Sequence, residues 1–400
     1  KSDIPGVNGK ILFSQETDFG LFVIGSDYQN TYTADIPFLI DAGGNDICKN
    51  NAGGTADKFN VALLIDFTGN DIYSSSRLFS QGAAQTGYGL LLDIAGNDNY
   101  QSQTLAQGSC IAGVSQLIDF NGNDTYQAYK FSQGTSIYGM GILNDLNGDD
   151  HYYASLFSQG VGITKAIGSI IDINGNDRYN LLSDKKSSYG TKGIVKGAGQ
   201  GFGFGVRHFS SGGIGLLYDI TGDDHYMAGN FSQGTGYFYG LGILIDKKGD
   251  DTVIGSRYSI GTAAHSAVGI FANFDGNDHY KTLQGSSIGI AWDNSNAYLL
   301  DTNGDDLYDC LDKTFCLGQA NHNSFAFVND KKGNDIYNSS FDKPIANNAY
   351  NGGESLGIFF DETGAKDIYP NIFLNNTTDD SNESYLFIDS NEHMRFFSLD

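Results

Sequence analysis

An all-β fold, a parallel β-helix solenoid of about twelve coils of 25 to 31 residues with one long insertion, is what this 400-residue sequence predicts. Three observations predict it. The motif Asp-x-x-Gly-Asn/Asp-Asp-x-Tyr recurs twelve times at near-constant spacing, and fixed self-similarity at such a period marks a repeat architecture. The residues before each copy alternate apolar and polar, as a half-buried strand does. The 54 Gly against four Pro, with 13% aromatic residues, describe many tight bends around repeated aromatic packing.

The copies open at Asp41, Asp66, Asp93, Asp119, Asp145, Asp172, Asp219, Asp246, Asn273, Asp301, Asp330 and Asp361. Two residues before each opening residue stands a large apolar one, such as Leu64, Leu91, Leu117, Leu143, Ile170 or Leu217. One residue before it polar side chains are tolerated, among them Asn144, Tyr218 and Asn329. Small residues four and six positions before it, such as Gly139 and Gly141, imply close approach of another wall of the coil. A typical coil is Asp119 to Tyr126, then Phe131-Ser-Gln-Gly134, then Gly139 to Asp145, which makes three short extended stretches between Gly-rich corners.

Stacking such coils at about 4.8 Å turns each position into a column. The motif Tyr becomes an aromatic ladder, and Gln81, Gln107, Gln133, Gln159 and Gln233 become a buried amide ladder bonded from coil to coil. Gly at the fourth motif position in every copy points to a backbone approach that a Cβ would obstruct. The opening Asp is expected to fold back onto backbone N–H groups of its corner as in an Asx-turn. The architecture reads as one domain: residues 1–40 a cap with a degenerate coil, 41–370 the solenoid with an insertion near 181–208, and 371–400 a closing cap in which 385–389 add a strand. A β-propeller competes, because Asp145 to Asp150 also resembles the calcium loops of FG-GAP blades. Such blades need about 40 or more residues for four strands.

A formal net charge of -24 argues against duplex nucleic acid or an anionic membrane as partner and makes cations the natural alternative. Of the 47 Asp and Glu, 27 stand at the motif's first position, its fifth position or its second Asp, so the acid has a positional role. Stacked carboxylates repel unless hydrogen-bonded, protonated or neutralised. Gly69-Asn-Asp-Ile-Tyr73, Gly96-Asn-Asp-Asn-Tyr100 and Gly122-Asn-Asp-Thr-Tyr126 resemble the Gly-x-Asp-x-apolar half of RTX repeats, the calcium-binding β-roll of secreted bacterial proteins. The resemblance implies Ca²⁺ between stacked corners, with Asp71, Asp98, Asp124, Asp150, Asp177 and Asp224 as ligands. It covers about six residues of each period. The period here is longer, the first Gly of the RTX pattern is mostly missing and only one corner per coil carries the motif. A hydrogen-bonded Asp/Asn ladder is the alternative to bound metal.

Two further places depart from the repeat. The step from Asp172 to Asp219 is too long, and the extra segment carries Lys185, Lys186, Lys192, Lys196, Arg207 and His208 within an otherwise acidic chain. These basic side chains are candidates for binding a ligand. The stretch Gly197 to Gly205 lacks the third Gly of a nucleotide-binding loop, since Phe202 stands there, and reads as a wall strand. The slot between motif Asp and Tyr faces outward by alternation, and in three consecutive copies it holds His151, Arg178 and His225, with His279 two coils on. This column is the candidate for acid/base chemistry.

β-Helices include polysaccharide lyases and hydrolases, phage tailspikes and bacterial adhesins, so fold alone assigns no activity. The expected role is a non-catalytic secreted or cell-surface rod of bacterial type, binding glycans or host or surface proteins and supported by calcium. The alternatives are a polysaccharide lyase or hydrolase at His151, Arg178 and His225, and a secreted bacterial effector. The chain starts at Lys1 without a signal-peptide pattern, and no apolar run approaches the roughly 18 residues of a membrane span. Cys310 and Cys316 could pair or stay free, and Cys48 takes a motif Tyr slot as a small buried residue.

Overall fold

The computed structural model describes residues 4–187, 195–310, 316–339, 354–363, 366–369, 378–382 and 385–390. The chain winds as a parallel β-solenoid of about 11 turns, and the described residues contain no helix. Strands that end on the opening Asp, such as Cys110–Asp119 and Met140–Asp145, form a leading sheet of 16 strands. Strands that follow the Gly-Asn-Asp corner, such as Thr125–Gln127 and His151–Ala154, form a trailing sheet of 13. A third wall of six two-residue strands runs from Gly162–Ile163 to Ala320–Asn321. Each motif residue pairs in parallel with its equivalent one coil away, as in Tyr100↔Tyr126 and Asp119↔Asp145. This coil-to-coil pairing excludes the four-stranded blades of a propeller.

The alternation expected before each motif is present. Within Met140–Asp145 the residues Gly141, Leu143 and Asp145 are buried while the intervening side chains face outward. Leu64, Leu91, Leu117, Leu143, Ile170 and Leu217 are fully buried and, with the motif Tyr rings, make one continuous core. The rings of Tyr100, Tyr126 and Tyr152 stack at 4.7 and 4.8 Å with interplanar angles of 3°. The stack omits copies without Tyr: Cys48 and Val253 are buried in those slots.

The invariant corner glycine has a steric cause. A Cβ on Gly122 would lie 1.7 Å from the carbonyl oxygen of Gly96, and one on Gly148 would lie 1.5 Å from that of Gly122. Because the obstructing atom is backbone of the adjacent coil, neither side can yield without unstacking the coils.

The amide ladder differs from expectation. Gln107 Nε2 donates to the carbonyls of Tyr100 (2.8 Å) and Gln127 (3.1 Å), and Gln133 Nε2 repeats this with Tyr126 and Tyr153. The amides thus tie trailing strands of adjacent coils through backbone carbonyls, and an amide-to-amide bond occurs between Gln200 and Gln159 at 3.1 Å. The side chain is held in left-handed backbone, φ +54° at Gln107 and +56° at Gln133, which aims it back at the trailing strand.

Both ends carry antiparallel closures. Ile11–Thr17 and Gly20–Gly25 form a hairpin over the first coil, and Thr378–Asn382 runs antiparallel to Tyr385–Ser390 at the other end. Such closures cover strand edges that would otherwise pair with another chain. Cys310 and Cys316 form a disulfide, whereas Cys48 and Cys110 are buried free thiols.

Candidate functional sites: an internal carboxylate column and the outer wall

Two aspartates per coil point into the solenoid. The opening Asp makes the expected Asx-turn in some copies, as where Asp119 Oδ1 accepts from the N–H of Asn121 at 3.2 Å, whereas Oδ1 of Asp66, Asp172, Asp219, Asp301, Asp330 and Asp361 is buried without a hydrogen bond. The opening Asp's other oxygen accepts the hydroxyl of the Tyr one coil earlier, with Tyr100 donating to Asp119 and Tyr126 to Asp145, both at 2.6 Å. The second Asp bonds the adjacent coil as well. Asp124 Oδ1 accepts from the N–H of Asp98 at 2.6 Å, and Asp150 Oδ1 accepts from that of Asp124 at 2.5 Å. The same bond links Asp71 to Asp98, Asp150 to Asp177 and Asp177 to Asp224 at 2.6 Å. A motif that has its Tyr, followed by one that opens with Asp, is thus stapled to the next coil through two carboxylates.

Tyr126→Phe tests one staple. Losing the O–H leaves the Asp145 oxygen buried without its donor, so a loss of about 2 kcal/mol is expected in denaturant unfolding. A change below about 0.5 kcal/mol would mean that the bond is replaced by another partner.

Carboxylates of neighbouring motifs also converge. Asp93, Asp98 and Asp119 each offer one oxygen within 4.8 Å of the others, and so do Asp119, Asp124 and Asp145, then Asp145, Asp150 and Asp172. Neighbouring clusters share an opening Asp, which makes the column continuous. The Oδ2 atoms of Asp71, Asp98, Asp124, Asp150, Asp177 and Asp224 are buried without a hydrogen-bond partner. Burial first, and carboxylate neighbours among the further causes, push these acids up from 3.8: Asp71 to about 7, Asp98 to about 10, Asp150 to about 8 and Asp224 to about 12. Asp119, Asp145 and Asp172 lie well above the ordinary value, again chiefly through burial. Hard oxygen donors with unused lone pairs suit Ca²⁺ in type, and one divalent ion per coil balances two carboxylates per coil.

No protein-family model, curated protein or solved structure matches the chain.

The outer wall holds the other candidates. Parallel register places His151, Arg178 and His225 in one column on adjacent coils. Partial burial, and next the charge of Arg178, lower the His225 imidazole from its usual value, which keeps it neutral at physiological pH. His279 lies two coils beyond His225, past Thr252, and its Nε2 is 2.8 Å from Asp309.

The basic residues between copies six and seven belong to two separate excursions. Lys186 and Val195 pair as an antiparallel bridge, and next to it the ammonium of Lys185 pairs with Asp184 at 2.9 Å. Lys192 lies outside the described residues. A turn closed by Val206 and Ser210 carries Arg207, which sits 5.7 Å over the Phe238 ring, and exposed His208. Between them Lys196–Gly199 and Gly203–Phe204 resume the coil.

The sequence reading passed over a groove on the trailing side, a cavity of about 400 Å³ over residues 74–76, 101–103 and 127–129. Exposed Gln101, Gln103 and Gln127 line it with hydroxyls of Ser74, Ser75 and Ser76, and half-exposed Tyr129 stands at one end. The signal was present in sequence as hydroxyl and amide residues after three successive motif Tyr.

Proposed function

We propose that the chain is a non-catalytic rod that binds glycans along its outer wall, with calcium in the carboxylate column supporting the folded state outside the cell. The groove over residues 74–129 carries this reading. Its Ser74↔Gln101 and Gln101↔Gln127 register repeats neutral hydrogen-bonding groups at one-coil steps along the axis. An amide donates and accepts at once, as a sugar hydroxyl does, and the Tyr129 ring offers a flat apolar face to a pyranose. Neutral groups suit an uncharged glycan in a chain of this acidity.

A glycan microarray with the full chain in millimolar Ca²⁺, followed by calorimetric titration of the best binder, tests it. Tyr129→Ala and Gln101→Ala are expected to weaken binding about tenfold each while leaving the melt unchanged. Absence of binding across the array, or binding indifferent to both substitutions, would overturn the assignment.

The His151, Arg178 and His225 column favours a second reading, polysaccharide cleavage, because a neutral imidazole beside a guanidinium pairs a base with an anion-binding group. New chain ends released from a polysaccharide, and lost in His151→Ala and Arg178→Ala, would establish it. Cleavage retained in both variants would remove this column from consideration.

A further inference from the structure

The leading sheet turns an apolar face outward. By alternation the residues five, three and one before each opening residue of the motif point out of the solenoid, as Ile214, Leu216 and Tyr218 do before Asp219. Parallel register repeats these positions as three columns over nine strands, from Val61–Asp66 to Asn296–Leu300. Val114, Met140, Ile167 and Ile214 stand in one column and are 37%, 37%, 38% and 39% exposed. No side chain in the three columns is charged. Polar groups there are served locally: the Tyr88 hydroxyl donates to Gln116 Oε1 at 2.7 Å, and Lys247, just beyond the sheet, lies over the Tyr218 ring at 5.4 Å. Exposed Phe67 and Phe274 continue the apolar surface round the corner.

Strand propensity alone does not account for this face, although it favours Ile and Val in any sheet. The trailing strands stack with the same regularity, yet in the same coils they turn Asn99, Gln101, Thr125, Gln127, His151 and Arg178 outward. The two sheets differ in what they face. At about 4.8 Å per strand and 3.3 Å per residue the apolar face measures about 40 by 20 Å, roughly 800 Å². The largest apolar patch of a monomer is commonly about 300–600 Å². A stable interface takes about 800 Å² from each partner, which this face supplies.

We infer that the leading sheet is the interface between two copies of this chain, packed sheet on sheet about a two-fold axis. Its ridges recur at the coil spacing, so a partner fills every groove along about 40 Å only if it has the same period, as a second copy does. With a net charge of -24, two copies approach with least repulsion through a face that carries no acid. An anionic bilayer would need basic residues that these columns lack. The groove over residues 74–129 belongs to the trailing side and stays open in such a dimer.

Sedimentation velocity of the full chain in millimolar Ca²⁺ tests the inference. A two-chain species is expected to persist at micromolar concentration. Ile142→Glu together with Leu216→Glu, both at outward positions that water solvates in a single chain, is expected to raise the dimer dissociation constant at least about a hundredfold. Ile142→Thr together with Leu216→Thr adds no charge and keeps strand-favouring residues, and is expected to raise it about tenfold. An unchanged far-UV circular dichroism spectrum identifies the folded variants. Should the Glu pair fail to fold, the Thr pair decides. A single chain at about 100 µM, or a two-chain species undiminished in the folded Glu pair or in the Thr pair standing alone, would overturn the inference. A single-chain protein that floats with neutral phosphatidylcholine vesicles would assign the face to a lipid surface and overturn it as well.

Discussion

Gly122→Ala is expected to destabilise the solenoid by at least about 3 kcal/mol, near the top of the range for overpacking, and to do so without removing any polar group. The added Cβ would sit 1.7 Å from the Gly96 carbonyl oxygen, and the Gly122 carbonyl is itself the atom packed against Gly148. Relief requires the two coils to part. Parting them also lengthens the bond from Asp98 N–H to Asp124. Because stability in stacked repeats is a sum of local and nearest-neighbour terms, a broadened or two-step denaturant transition is the expected signature. His151→Ala, in the outward slot of the neighbouring coil, serves as control and should change stability by less than about 0.5 kcal/mol. A single unshifted transition in Gly122→Ala would contradict the packing argument.

The second large effect concerns the interior acids. Asp71 and Asp124 are pushed up to about 7, Asp150 to about 8 and Asp177 to about 9, all from an ordinary 3.8. A group whose folded value is raised contributes fully below its unfolded value, and that contribution is lost as pH rises toward the folded one. For each of these carboxyls the window opens near pH 4 and extends to pH 7 or beyond. Over three pH units a single such group changes stability by about 4 kcal/mol. Several such groups along one column act in the same direction, against the roughly 5–15 kcal/mol that a domain commonly has. Protons alone would therefore leave the rod strongly weakened at neutral pH, and a divalent cation removes the difficulty. In EDTA the melting temperature is expected to fall steeply from pH 5 to pH 8. In millimolar Ca²⁺ at pH 7.5 it should recover, since a ligand at a thousandfold its dissociation constant adds about 4 kcal/mol per site. A melt that rises with pH in EDTA would reverse the sign and remove the argument.

Much of the fold was legible because parallel stacking converts a sequence period into a column. The Leu slot, the Tyr slot and the invariant Gly each became a row of side chains or a backbone contact as the period implied. Tyr32 escaped notice: it is fully buried and donates to Asp41, as its counterparts do, but Asn30 replaces the motif Asp before it. Asn30-Thr31-Tyr32 echoes Asp124-Thr125-Tyr126 and gives the register of the degenerate coil expected within residues 1–40. The inward direction of the second Asp follows from the alternation that turns the next slot outward and the motif Tyr inward. Its partner was not legible, because the bond from one coil's N–H to the next coil's carboxylate exists only once the corners are stacked.

The sites were less legible than the fold. Register does bring His151, Arg178 and His225 together, since alternation and period suffice for that. The basic residues looked like one cluster in sequence but lie on two turns separated by resumed coil, so nearness along the chain misrepresented nearness in space. The trailing groove was overlooked because serine and glutamine carry no signature of their own. Their meaning comes from three coils placing them side by side.

The column's occupancy is measured most directly by long-wavelength anomalous diffraction from crystals grown in calcium at neutral pH, with metal analysis of the same protein. A row of peaks along the solenoid axis, one for each coil and placed between such residues as Asp119, Asp124 and Asp145, is the expected result. A column without anomalous signal, in protein that carries no metal and melts identically with and without EDTA at pH 7.5, would contradict it.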